Sequence, residues 1–204
     1  MPVKDGWQAV GTHSVGNRRR FDVRWERLFE DLQAQLDAVA AQELDTEVAD
    51  RTRRERALLS IQQRLAAQPQ GVPVVTWIAG VGRVGGSVAD VGADWVLLAG
   101  PGDRRTLVPL PAVRSLTGVG GRVGPTPAVV RGFTLGMALR AVSRDRSAVT
   151  VVDIDGQRYA GTVDAVGQDA LDLAEHPIDV PRRAGNVASV RVLPFAALAA
   201  VIRD

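Results

Sequence analysis

Gly86-Ser87-Val88-Ala89-Asp90-Val91-Gly92-Ala93-Asp94-Trp95-Val96-Leu97-Leu98-Ala99 is echoed further along the chain by Gly161-Thr162-Val163-Asp164-Ala165-Val166-Gly167-Gln168-Asp169-Ala170-Leu171-Asp172-Leu173-Ala174. Gly86, Val88, Val91, Gly92, Asp94, Leu98 and Ala99 fall on identical residues, Ser87 meets Thr162 and Val96 meets Leu171. Further on, Pro109-Leu110-Pro111-Ala112-Val113 meets Pro194-Phe195-Ala196-Ala197-Leu198 after an insertion placed around residues 175–186. An internal repeat of this kind marks two copies of one supersecondary unit. Its chemistry is that of a strand: Val96 and Leu98 alternate with Leu97, and Leu171 and Leu173 with Asp172, so the flanking members of each set should face a core. Gly92 and Gly167 are read as bends that need positive φ. Pro109 and Pro194 are read as strand-to-strand corners, because proline cannot donate into a ladder.

Working outward, apolar runs separated by Gly-containing turns divide each copy into five short strands. They are expected near 73–79, 83–92, 94–99, 105–110 and 112–117, and again near 148–155, 157–168, 169–174, 187–194 and 196–202. Each copy follows a helical pattern: Arg64-Leu65-Ala66-Ala67 before the first, and Leu135, Met137, Ala138, Leu139 and Val142 before the second. Gly118 to Pro127, rich in Gly and Pro, reads as a linker.

Upstream of Pro69 the chain is different. Asp22 to Gln68 contains neither Gly nor Pro, and Trp25, Leu28, Phe29, Leu32, Leu36 and Val39 recur at helical steps. The segment is either a helical hairpin, with Asp45 or Thr46 capping a second helix, or one long helix. A single helix of that length needs a partner along it, which points to a coiled coil and a homo-oligomer through the N-terminal helices. Arg51, Arg53, Arg54 and Arg56 among Asp50 and Glu55 read as a solvated, ion-paired face. Residues 1–21 lack periodicity and read as a disordered tail, or as sequence upstream of a native start at Val23. The expected organisation is thus tail 1–21, helical segment 22–68, first barrel-like unit 69–120, linker 121–130, and helix plus second unit 131–204.

Helix followed by five strands, with Gly-x-Val-x-x-Val-Gly-x-Asp across a bent second strand and a Pro-x-x-Ala-Val corner before the last, resembles the Sm-like barrel of Sm, LSm and Hfq proteins. PRC-barrel and other SH3-like barrels are close alternatives. From residue 23 to 204 the chain also resembles a group of actinobacterial proteins with a helical N-terminus and two such units. The resemblance implies an α+β fold of tandem five-stranded Sm/SH3-like barrels, each preceded by a helix, and RNA or other nucleic acid as ligand. The family's base-reading asparagine has no counterpart in Asp94-Trp95-Val96 or Asp169-Ala170-Leu171, and its Lys-His pair is replaced by Leu110-Pro111 and Phe195-Ala196. Nucleic-acid contact is therefore assigned to Arg104 and Arg105 on one loop and Arg182 and Arg183 on the equivalent longer loop, where guanidinium groups could grip phosphates or simply solvate hairpin tips.

The remaining candidates are weaker. Gly80-Val81-Gly82-Arg83-Val84-Gly85 has dinucleotide-loop spacing, but strand-like sequence follows it, so it reads as a β-turn. His176, between Glu175 and Pro177, has the setting of a base but no nucleophile placed beside it, and reads as a surface loop histidine. Asp153, Asp155, Asp164, Asp169 and Asp172 read as turn and outward residues rather than metal ligands. Trp77 and Trp95 read as core or as stacking surface. With no cysteine, two histidines and no span-length apolar run among 204 residues, thiolate metal sites and thiol nucleophiles are excluded. A net charge of +2 is too small to demand nucleic acid by itself. The expectation is a non-enzymatic cytoplasmic binding module without cofactor or metal, contacting RNA or DNA, or alternatively a protein-interaction and oligomerisation scaffold without nucleic acid.

Overall fold

A computed structural model describes residues 16–120 and 132–204; most of the expected tail and linker lies outside the described residues. The chain divides into two compact units, one ending at Ala57 and one running from Leu58 to Asp204.

The first unit is one helix, α1, Gly16–Ala57, of 42 residues and about 63 Å at 1.5 Å per residue. The hairpin alternative fails at its proposed cap. Thr46 lies inside the helix and its hydroxyl donates back to the Gln42 carbonyl at 2.8 Å, the intrahelical bond open to a mid-helix threonine. Arg53 and Asp50 form an i, i+3 ion pair at 3.5 Å, as a solvated face requires. Leu32, Leu36, Val39, Leu44 and Val48 are exposed. The step from Val39 to Leu44 breaks the alternation of threes and fours, so the coiled-coil expectation is corrected: these positions do not keep a heptad seam.

Near the start of the second unit stands Ser60. Its hydroxyl accepts from the Gln63 N–H at 3.1 Å while the Gln63 side chain accepts from the Ser60 N–H at 2.9 Å, a reciprocal cap that starts α2, Ile61–Ala66. Ten strands follow: β1 Pro73–Ile78, β2 Gly82–Val91, β3 Trp95–Ala99, β4 Arg105–Pro109, β5 Val113–Thr117, β6 Ala148–Asp153, β7 Arg158–Val166, β8 Ala170–Glu175, β9 Ser189–Pro194 and β10 Leu198–Arg203. The helix α3, Leu135–Asp145, precedes β6.

The duplication holds in three dimensions. Register slips by one residue between Val88 and Asp90 in β2, and between Val163 and Ala165 in β7, so both copies bulge at the same place. A turn of 3-10 helix follows each corner proline, Leu110–Ala112 and Phe195–Ala197. The same anchor precedes each: Leu110 N–H donates to Asp94 O at 2.8 Å, and Phe195 N–H to Asp169 O at 2.7 Å. Gly92 and Gly167 are correct as special positions but not for the expected reason, since neither has positive φ. Gly92 is required because a Cβ there would overlap the Trp95 indole nitrogen and the Phe133 carbonyl oxygen.

The expectation of two separate barrels is overturned. All ten strands belong to one antiparallel sheet in the order β5-β1-β2-β3-β4-β10-β6-β7-β8-β9. The join is β10, which pairs with β6 of its own copy and with β4 of the other, Val201 standing opposite both Val151 and Leu107. The physical reason is backbone satisfaction: β4 and β10 each present a row of N–H and C=O groups, and pairing them removes two open edges at once. The cores interlock as well. Trp95 and Leu107 of the first copy pack with Leu135 and Leu139 of α3 and with Val149, Val163, Leu171 and Leu173 of the second. Ala199 of β10 packs with Leu65, Val74 and Ile78 of the first.

Candidate binding surfaces

The arginines assigned to nucleic acid sit on separate hairpins. In the sheet, β4 and β8 are held apart by β10, β6 and β7. Arg104 is ion-paired with Asp204. Arg105 donates to the Arg104 carbonyl at 3.2 Å and stands opposite Arg203, which itself binds Asp145 at 2.9 Å. Arg182 makes a two-pronged contact with Asp164, its Nε 2.6 Å from Oδ1 and its Nη2 on Oδ2, and Arg146 approaches Asp164 at 3.3 Å. Arg183 is exposed. The four do not converge, and a phosphate reaching Arg104 or Arg182 would compete with a carboxylate already in place. The RNA-binding expectation is accordingly set aside.

Asp94 occupies the stretch where the resemblance would place a base-reading side chain. Its Oδ1 instead accepts from the Leu135 N–H at 2.7 Å, capping α3 in place of Thr134. Trp95 is buried; its Nε1 donates to Phe133 O at 2.9 Å and its ring meets Phe133 edge-on at 5.7 Å. Trp77 is the exposed one of the pair. Gly80–Gly85 forms the β1–β2 turn and the start of β2, with no helix N-terminus to face a pyrophosphate.

His176 differs from its reading as a surface residue: it is 3% exposed. One ring nitrogen, Nδ1, lies 2.8 Å from the Pro177 carbonyl, which can only accept, so Nδ1 carries the proton. Nε2 then accepts from the Thr162 hydroxyl at 2.8 Å. Both nitrogens are engaged in folding the inserted loop back on the sheet. The aspartates do local work too: Asp153 accepts from Asp155 N, Gln157 N and the Tyr159 hydroxyl at 3.0, 2.8 and 3.0 Å. Among the described residues no group of His, Asp and Glu could hold a metal ion, and no helix is long and apolar enough to cross a membrane.

Three carboxylates carry the pH dependence of this half: Asp153, held down against the opposing effect of burial by the hydrogen bonds it accepts, and the ion-paired Asp164 and Glu175. The Arg182 guanidinium holds Asp164 below the ordinary range, against the opposing effect of burial, and Arg191 with Ser189 does the same for Glu175. A carboxylate depressed in the folded state stabilises fully above its unfolded value and loses that contribution as pH falls through the folded one. The melting temperature should therefore be flat from pH 7 to about 5 and fall below about 4. Asp164→Asn should lower it at pH 7 and make the acid fall shallower, which calorimetry across that range would read.

Sequence reasoning missed the two sheet edges. Among the described residues, β5 pairs only with β1 and β9 only with β8. On β9, Val190 is 58% and Val192 64% exposed. The signal was present in the alternation Val190-Arg191-Val192, where β4 has the contiguous Leu107-Val108-Pro109. Arg191 lies over the Tyr159 ring at 4.4 Å and binds Glu175 at 2.7 Å, leaving the two valines as the apolar part of that edge.

No protein-family model, curated protein or solved structure matches the chain.

Proposed function

We propose that this protein is a non-enzymatic, cytoplasmic assembly scaffold in which α1 joins copies of the chain and the folded unit is what becomes assembled. The observation that carries the reading is two apolar patches, Leu32-Leu36-Val39 and Leu44-Val48, left in solvent along a 42-residue helix, with Leu36 66% exposed. An isolated helix with apolar side chains in water gains most of its stability by covering them. Charge pattern favours a second copy as the cover. Residues 30–50 carry seven acids and no base, whereas residues 51–56 carry four arginines and one glutamate, and residues 18–27 five arginines and two acids. A parallel in-register pair would set acid against acid. An antiparallel, offset pair sets the acidic middle of one helix against an arginine-rich end of the other.

The test is the mass of the full chain in solution. Light scattering should show an oligomer, and Leu36→Glu with Val48→Glu should weaken self-association about tenfold or more while leaving the melting of the folded unit unchanged. The purified protein should carry no nucleic acid at low salt. A monomer at high concentration, or nuclease-sensitive material lost on adding salt, would overturn the reading.

A further inference from the structure

The sheet contains a template for its own extension. Strands β4 and β9 are equivalent in the repeat, as are β5 and β10; the corner prolines Pro109 and Pro194 and the residues Val113 and Leu198 set the correspondence. Inside the chain β4 of the first copy pairs with β10 of the second, through Val201↔Leu107, Ile202↔Thr106 and Arg203↔Arg105. Their equivalents, β9 and β5, are the two outer strands of the same sheet.

Burial shows what the open edges lack. Leu107 on β4 is 5% exposed, while Val192, its equivalent on β9, is 64% exposed. Thr106 and Pro109 are buried where Arg191 and Pro194 are exposed. On the other side Leu198, Ala199, Ala200 and Val201 of β10 are all buried, but Val113, Arg114, Ser115 and Leu116 of β5 are exposed or half-buried. The same positions are covered where the partner strand is present and open where it is absent. The polar backbone agrees. Pro194 stands opposite Ala170 in the β8–β9 ladder and has no N–H, so it fits only a position whose nitrogen faces away from β8; Val192 and Val190, at alternate positions, then aim their N–H and C=O groups at the open side.

We propose that β9 of one copy pairs antiparallel with β5 of a second copy, repeating the internal join in its own register as far as β5 extends: Val192 opposite Leu116 and Arg191 opposite Thr117. The contact deepens the assembly reading by naming a second copy as the sheet's partner. It stands on a different surface from α1, and it is heterologous, so each chain offers one edge of each kind and copies add head to tail. A pairing of this kind covers two hazardous edges with one interface.

Register is the feature to test, because the chain has no cysteine of its own. Full-length Val192→Cys and Leu116→Cys proteins, both carrying Leu36→Glu to weaken the helix contact, are mixed under mild oxidation. Antiparallel partners about 5.5 Å apart at Cα can be bridged. The expected product is a disulfide-linked heterodimer, and a chain bearing both cysteines should give a covalent series of copies or one closed species. Replacing Leu116→Cys by Ser115→Cys turns the thiol to the opposite face and should reduce the yield at least tenfold. Equal yields from the two pairings, or none from either, would overturn the proposal without touching the helix reading. Val192→Pro guards against a variant that folds poorly: it removes only the outward N–H and should lower the native mass of the Leu36→Glu protein with its melting unchanged. An unaltered mass for that variant would equally sink the edge contact.

Discussion

Trp95→Ala should lower the melting temperature of the folded unit by about 12 °C, corresponding to about 4 kcal/mol. Trp95 is the point at which the first copy grips the second. Its ring is buried in the cluster built by α3 and by Val149, Val163, Leu171 and Leu173, and it packs edge-on against Phe133. Removing it opens a cavity that rigid strands on both sides cannot close, and cavity cost adds to the lost transfer energy. The indole also donates to Phe133 O, which accepts as well from Ala93 N–H at 2.9 Å, while Asp94 caps the first turn of α3. Residues 93–95 therefore hold the entry to α3 from three directions. Trp95→Phe separates the contributions: it keeps a ring and drops one hydrogen bond, so it should cost only about 1–2 kcal/mol. Thermal melts of the two variants decide the matter. A fall of under 2 °C for Trp95→Ala would mean that the two copies do not share a core.

The same residue shows how far the sequence could be read. The repeat places Trp95 opposite Ala170, a divergence plain in the chain, and its cause is asymmetric packing: Trp95 is the first copy's reach into the cluster that α3 builds with the second copy. All ten strands were legible because alternation and glycine turns are local signals. So were the two helices before the copies, from Leu65 and from Leu135 to Val142. The union of the copies into one sheet was not, because the β4–β10 pairing is made by backbone groups that every residue carries alike. The best clue was compositional. Strand β4, covered on both sides, runs Thr106-Leu107-Val108-Pro109, and edge strand β9 inserts Arg191 between valines.

The candidate surfaces divide in the same way. Arg182 looked free because nothing in the local sequence announces Asp164, eighteen residues earlier and two strands away across β8. His176 looked exposed because it lies in an insertion; its burial depends on Thr162, which the ladder between β7 and β8 brings beneath the loop. Long-range polar partners of this kind follow from strand order. Once the order is known, the unpaired ends of the sheet become as informative as any side chain.

Gly161→Ala should cost about 3 kcal/mol, or about 9 °C in melting temperature, although it adds a single methyl group. Gly161 lies on β7 opposite Glu175, just before the shared bulge. A Cβ there would stand 2.8 Å from the Ala174 carbonyl carbon, closer still to its oxygen, and 3.0 Å from Glu175 Cα. These are backbone atoms, so no side-chain rotation relieves the clash. The repeat supplies the internal check. Gly86 occupies the equivalent place on β2, and its Cβ would meet Ala99 O at 2.5 Å, so Gly86→Ala should be costly in the same way. Gly85, its neighbour on the same strand, has nothing within 4 Å of an added Cβ and no unusual φ. Gly85→Ala should therefore be neutral or stabilising by a few tenths of a kcal/mol, through the smaller conformational freedom of the unfolded chain. If Gly85→Ala and Gly86→Ala melt together, close strand approach is not what these positions require. If Gly86→Ala and Gly161→Ala fall together while Gly85→Ala does not, the paired glycines hold both copies to one bent-strand geometry at the same place in the repeat.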